Sequence, residues 1–507
     1  MPSLRHRLTG CLLLALSATP ALAGPDSVAA PTGTLREDAA AAAIVDSITL
    51  AERGDSVGAL LGFERAFADP DTALLSEPLR LDGLITAGRT AFNARQAAQA
   101  RTYLDAALQQ APDDPRALYV LGRLLLWQED MLEGTRLITR ALRASDAMLG
   151  DVDIQMAHAL VDALQDQPDA RRELLQVLFD RDWKDEGIEP TSLWLQLAVL
   201  QADAGQRERL AATVARIDTP MEVVALRTDK RFDAVVDRRD PRFDPLHSAR
   251  RYTDALRVEG LLRPERSDRV ADFTDTLLLI GEHEQVLSTS ETLYTRLSAP
   301  NAPRSFVGAD YAAWVLSHRA TAEHRLGRDD AAEATLLLAA SLGEAEAPGN
   351  PLLQLYLASW YLAREQPERA LEAIAGLDPA PMFGEYMRQW IRFSAYRTLG
   401  DADRSAQARA WLQANQGEGR AAYVDVLLTE DRIDDAARQL IADLQTTAHR
   451  QDALLLMQDF RMLAPMAGDV ANDRRWQQLL RRADVLAAAR AVGRIETQPI
   501  YGRSAWR

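Results

Sequence analysis

The fold is decided by the stretch LITAGRTAFNARQAAQARTYLDAALQQAPDDPRALYVLGRLLLWQEDMLEGTRLITRA, residues 84–141. Leu84, Ala87 and Gly88 fall on adjacent turns of one helix, followed by Ala100, Leu104, Ala107 and then Pro112. Moving along by 34 residues gives Leu118, Leu121 and Gly122, then Gly134, Ile138 and Ala141. A period of this length is one helix hairpin per unit, stacked on its neighbours, with small residues where helix backbones must touch. The chain of 507 residues is long enough for about a dozen such hairpins, and its 47% apolar but only 6% aromatic content suits packing through Ala and Leu. Strand-like alternation of β-branched residues is almost absent, so the pattern points to an all-α chain.

The order large, large, small, then small, large, small, then Pro resembles the tetratricopeptide repeat, most specifically over residues 84–141. That resemblance implies an α-solenoid of stacked antiparallel hairpins, a non-catalytic role in protein binding or scaffolding, and no cofactor. It also implies that a concave groove is lined by Asp82, Ile85, Arg89, Phe92 and Asn93 in one unit and by Arg116, Tyr119, Arg123, Leu126 and Trp127 in the next. Arg89 and Arg123 then stack on one wall, with Phe92, Tyr119 and Trp127 as apolar anchors. Such a surface suits an extended peptide bearing an acidic or carboxy-terminal group, because Arg grips a carboxylate at two points. The family's carboxylate clamp is not matched, since Ile85 and Tyr119 replace polar residues it needs.

Outward from the repeats, the chain divides into five stretches. Arg5 and Arg7, an apolar run from Leu8 to Ala18 and Ala21-Leu22-Ala23 read as a signal peptide over 1–23, with residues 24–38 a flexible leader. Export to the periplasm of a bacterial envelope follows. Leu8-Thr9-Gly10-Cys11 offers a rival lipoprotein reading, but its apolar run comes after the cysteine rather than before it. Cys11 is the one cysteine, so a chain cleaved after Ala23 has no disulfide and no thiol chemistry. Asp229-Lys230-Arg231-Phe232 and Asp240-Pro241-Arg242-Phe243, and later Asp473-Arg474-Arg475-Trp476, look like short capping helices. They suggest that the array closes near 247 and again near 480. This gives two repeat modules, 39–248 and 249–492, and a disordered tail over 493–507. In the second module the best units are Ala332, Leu336 and Ala339, and Ala370, Ile374 and Leu377.

Charge excludes one class of partner. The formal net charge is −16, against the basic surface that nucleic-acid binding requires. Metal and catalytic motifs are missing from the sequence: His318 and His324, six apart, lie on different helix faces, and there is no Gly-x-Ser-x-Gly elbow or phosphate loop. Two alternatives to the adaptor remain. A glycan-active enzyme on a helical toroid is motivated by nine Trp and many acids, and it requires a closed ring with central carboxylates rather than an open groove. A membrane-surface tether is motivated by Trp476, Leu479, Leu480, Ala483, Leu486 and Ala487, which share one face of a basic C-terminal helix.

Overall fold

The computed structural model describes residues 35–262, 267–344, 349–377 and 382–502. The stretch read as a signal peptide and the expected leader up to residue 34 lie outside them. The described residues form an all-α protein of two compact units that divide between Leu200 and Gln201.

The first unit holds α1 (Leu35–Glu52), α2 (Ser56–Ala68), α3 (Glu77–Asn93), α4 (Ala97–Gln110), α5 (Pro115–Trp127), α6 (Met131–Ala144), α7 (Ile154–Ala163) and α8 (Pro168–Asp180); α9 (Thr191–Asp203) runs across the division. The leader was expected to reach residue 38, yet α1 begins at Leu35. Glu37 and Asp38 in its first turn face the positive end of the helix dipole. α3 with α4, and α5 with α6, are the two hairpins of the 34-residue period. Ala87, Ala100, Leu104, Ala107, Ile138 and Ala141 are fully buried between them. Asp114 caps α5 by accepting from the backbone N–H groups of Arg116 and Ala117, with Pro115 at the first helical position.

α5 crosses α6 at two facing glycines. A Cβ on Gly134 would lie 2.8 Å from the Gly122 carbonyl oxygen and 3.0 Å from the Leu126 nitrogen. Gly134→Ala must therefore spread the hairpin, at a loss of about 1–3 kcal/mol. Gly260→Ala, where a Cβ meets nothing within 4 Å, should be neutral or stabilising. Urea denaturation of both variants checks this, and equal stabilities would show that the crossing is not tight.

The hairpin turns share one device. The residue two positions before the second helix is left-handed at Gly54, Arg95 and Glu129 in the first unit and at Gly281, Gly327, Glu365, Gly400 and Asp431 in the second. At Arg95 and Glu129, 34 apart, the next N–H returns to the helix end: Gln96 to the Ala91 carbonyl and Asp130 to the Leu125 carbonyl.

The second unit continues with α10 (Arg207–Val214), α11 (Pro220–Thr228), α12 (Pro245–Leu262), α13 (Ser267–Ile280), α14 (His283–Ser298), α15 (Ala309–Arg325), α16 (Asp329–Ser341), α17 (Pro351–Ala363), α18 (Pro367–Ala373), α19 (Met382–Thr398), α20 (Ala402–Ala414), α21 (Arg420–Thr429), α22 (Ile433–Gln445) and α23 (Arg450–Leu456). Then come β1 (Asp459–Arg461), α24 (Val470–Leu480), α25 (Ala483–Val492) and β2 (Thr497–Tyr501), which pairs with β1 in parallel.

Three expectations are corrected here. The module boundary placed at 248 lies instead at 200. Asp229 and Asp240 do cap short 3-10 turns that bury Phe232 and Phe243, but these turns do not end an array. They receive the far end of the chain: Arg494 donates its N–H to the Thr228 carbonyl, its guanidinium pairs with Asp233, and Glu496 pairs with Arg227 and Arg238. Second, residues 497–501 of the supposedly disordered tail form β2, whose Ile500 is buried with Met221, Val224, Ala249 and Leu279. The last elements of this unit thus meet its first ones.

Third, the basic C-terminal helix is two helices, broken at Arg481-Arg482. Its buried residues are Leu479, Val485 and Ala489, while Ala483 and Ala487 are exposed. Asp473 and Trp476 sit inside α24 instead of starting it. Two of its arginines are engaged within the chain, Arg475 with Asp431 and Arg482 with Asp434 and Asp484, while Arg474, Arg481 and Arg490 are exposed. The single continuous helix face on which a membrane tether was argued is therefore split between two helices, with Leu479 turned into the core. Among the described residues no helix is long and apolar enough to cross a membrane.

Candidate functional site

The groove expected from the sequence lies on α3 and α5, the first helices of consecutive hairpins. Helical spacing places Arg89, Phe92 and Asn93 on the C-terminal half of α3, and Arg116, Tyr119, Arg123 and Trp127 along α5. Arg89 and Asn93 are exposed, Phe92 and Arg123 half-buried, and Trp127 is 37% exposed.

Three of the expected lining residues are instead part of the packing. Tyr119 is 3% exposed, Ile85 6% and Leu126 4%, so Tyr119 is not an open anchor for a ligand. Burial pushes its phenol above the ordinary range, against the pull of Arg123. Arg116 is exposed but committed. It pairs with Asp82 of the preceding hairpin at 2.7 Å and with its own cap Asp114 at 3.0 Å. Burial alone would raise the Asp114 carboxyl, but the Arg116 side chain and the Ala117 N–H together hold it below its usual value. Arg116 thus staples one repeat to the next.

Arg123 behaves differently. Its guanidinium carbon lies 5.8 Å from the centroid of Phe92 and 6.0 Å from that of Tyr119, so it bridges α3 and α5 through ring faces. Its Nε is buried without a hydrogen-bond partner, as is the Tyr119 hydroxyl. Neither Arg123 nor Arg89 pairs with an acid among the described residues, and the same holds for Arg53, Arg65, Arg80, Arg95 and Arg171 of this unit, whereas Arg101, Arg136, Arg140, Arg143, Arg172 and Arg181 do pair. The structure therefore brings Arg123, Phe92 and Tyr119 together and leaves Arg89 and Trp127 open on the same two helices.

A second cluster was not visible in the sequence. In the second unit the Asp425 carboxylate on α21 accepts three side-chain donors: the Trp390 indole of α19 at 3.0 Å, the Trp476 indole of α24 at 3.0 Å and the Asn472 amide of α24 at 2.5 Å. These partners lie 35 to 51 residues from Asp425 in sequence, so no local spacing announces them. Among the described residues no group of three or more His, Cys, Asp or Glu could hold a metal ion.

Comparison with known proteins adds little to this geometry. No family model and no curated protein matches the chain. Among solved structures the chain is similar to one described as "Structure of Naa15/Naa10 bound to HypK-THB", at 14% identity over 89% of this chain and 74% of that chain, with a TM-score of 0.20. At that score the fold statement rests on the hairpins themselves.

Proposed function

We propose that the chain is a non-catalytic protein-binding scaffold of the bacterial cell envelope, and that its first unit holds an extended protein segment across α3 and α5. One observation carries the reading: Arg123, over the Phe92 ring, and the exposed Arg89 remain without an acid partner on the two helices that also carry the exposed Trp127, in a chain with 74 acidic and 58 basic residues. Where acids are in excess, two unpaired guanidiniums next to exposed aromatic surface suit a partner that brings a carboxylate and an apolar side chain. The envelope placement rests on the export signal read in residues 1–23. The glycan-enzyme alternative asked for a closed ring with central carboxylates. The second unit does join its ends, but the Asp425 carboxylate there is occupied by three donors of its own chain.

The test is a photo-crosslinking amino acid placed at Trp127 in the full-length protein, with Gln109 on the exposed side of α4 as the control position. A single protein captured from Trp127 and not from Gln109 supports the groove. The same protein captured equally from both positions, or none from Trp127, contradicts it.

A further inference from the structure

Residues 459–478 contain no buried side chain, although both flanks are anchored: Ala453, Leu454, Met457 and Gln458 before them, Leu479, Val485, Ala489, Gln498 and Ile500 after. This shallow strap crosses the ends of several hairpins. Phe460 packs at the cluster of α11, α12 and α13, and Met466 against the core around α15 to α17. Gly468 approaches the backbone of Leu362 and Ala363 so closely that a Cβ would collide. Asn472 and Trp476, one helical turn apart on α24, both donate to Asp425, whose other oxygen takes the Trp390 indole. Arg475 adds an ion pair with Asp431. The segment is thus seated as a separate helical peptide would be, by a few polar contacts and by half-buried side chains that rest on the core clusters without entering them.

We infer that the surface under the strap, made by Trp390, Asp425 and the Leu362–Ala363 end of α17, is a second binding site, and that residues 467–478, up to the Leu479 anchor, are its built-in occupant. The partner it fits is a helical protein segment presenting an Asn and a Trp four residues apart, because two donors at that spacing converge on the Asp425 Oδ1 that Trp390 leaves open. The strap competes with that partner. It opens locally while β2 and α25 stay docked, since the contacts that hold it are the exposed and half-buried ones. This inference does not depend on the groove of the first unit.

The probe is a fluorescent synthetic peptide of residues 467–482, added to the full-length protein. Wild type should bind it weakly because the strap fills the site. Asn472→Ala with Trp476→Phe removes both donors while keeping an aromatic ring in place, and should tighten binding by about tenfold or more as the open fraction rises. Adding Asp425→Ala to that variant should return binding to the wild-type level. Equal binding by wild type and the double variant, or binding indifferent to Asp425→Ala, overturns the proposal. So does a doubled mass in sedimentation of the wild type with straps exchanged between copies, which would assign the surface to a second copy of the chain. If circular dichroism shows that the double variant is unfolded, hydrogen exchange of the wild type decides. Amides of residues 470–478 that exchange well before those of Ala483–Val492 and Thr497–Tyr501 uphold the strap, and equally slow exchange overturns it.

Discussion

Arg319→Ala is expected to destabilise the second unit by about 3–5 kcal/mol, the usual loss when one partner of a buried ion pair is removed. Arg319 is 8% exposed and Glu323 4%, one turn further along α15. The guanidinium donates to Glu323 at 2.9 Å, to the Leu287 carbonyl at 3.0 Å, to Ser290 Oγ at 3.2 Å and to Glu291 at 2.9 Å. Its carbon also lies 4.1 Å from the centroid of Tyr294. Without it, Glu323 keeps one side-chain donor, the Thr335 hydroxyl at 2.8 Å, and a charge far from water. Replacing both partners, Arg319→Met with Glu323→Leu, removes the uncompensated charge and should recover most of the loss. Chemical denaturation followed by circular dichroism measures all three proteins. A loss below about 1 kcal/mol for Arg319→Ala would mean that water reaches Glu323.

That pair also shows where the sequence stops being informative. The hairpin of α15 and α16 is legible from Ala320, Ala332, Leu336 and Ala339, all buried. Arg319 and Glu323, an i, i+4 pair in a chain that is 26% charged, read as a solvated face, and nothing local distinguishes them from one. The left-handed turns were half legible. Gly54 and Gly327 announce themselves, but Arg95 and Glu129 take the same conformation without glycine because the hairpin fixes them there. At the candidate site, the 34-residue register put Arg89, Phe92 and Arg123 on adjacent helices, while the depth of Tyr119 and the Asp82–Arg116 staple depend on how closely the hairpins nest. The C-terminal segment was misread for a different reason. Its partners lie up to 269 residues away, as in the Arg227–Glu496 pair, so helical periodicity there described a helix that the chain breaks in two.

The second large effect concerns binding. Reversing Arg89 and Arg123 to Glu should weaken capture of the crosslinked partner about 100-fold or more. Each charge-assisted contact contributes about 1.5–3 kcal/mol, and two are lost while repulsion is added. The fold should survive, since Arg89 is exposed and Arg123 touches its neighbours through ring faces rather than ion pairs. Arg328 and Arg404, which pair with Glu284 of the preceding hairpin and with Asp401 one turn away in the second unit, provide the comparison of equal charge change. The deciding measurement is the dissociation constant of that partner for wild type, Arg89→Glu/Arg123→Glu and Arg328→Glu/Arg404→Glu, each checked for unchanged helix content. A large loss confined to the α3–α5 variant is the result expected here, and equal affinity of that variant and wild type would contradict binding at this groove.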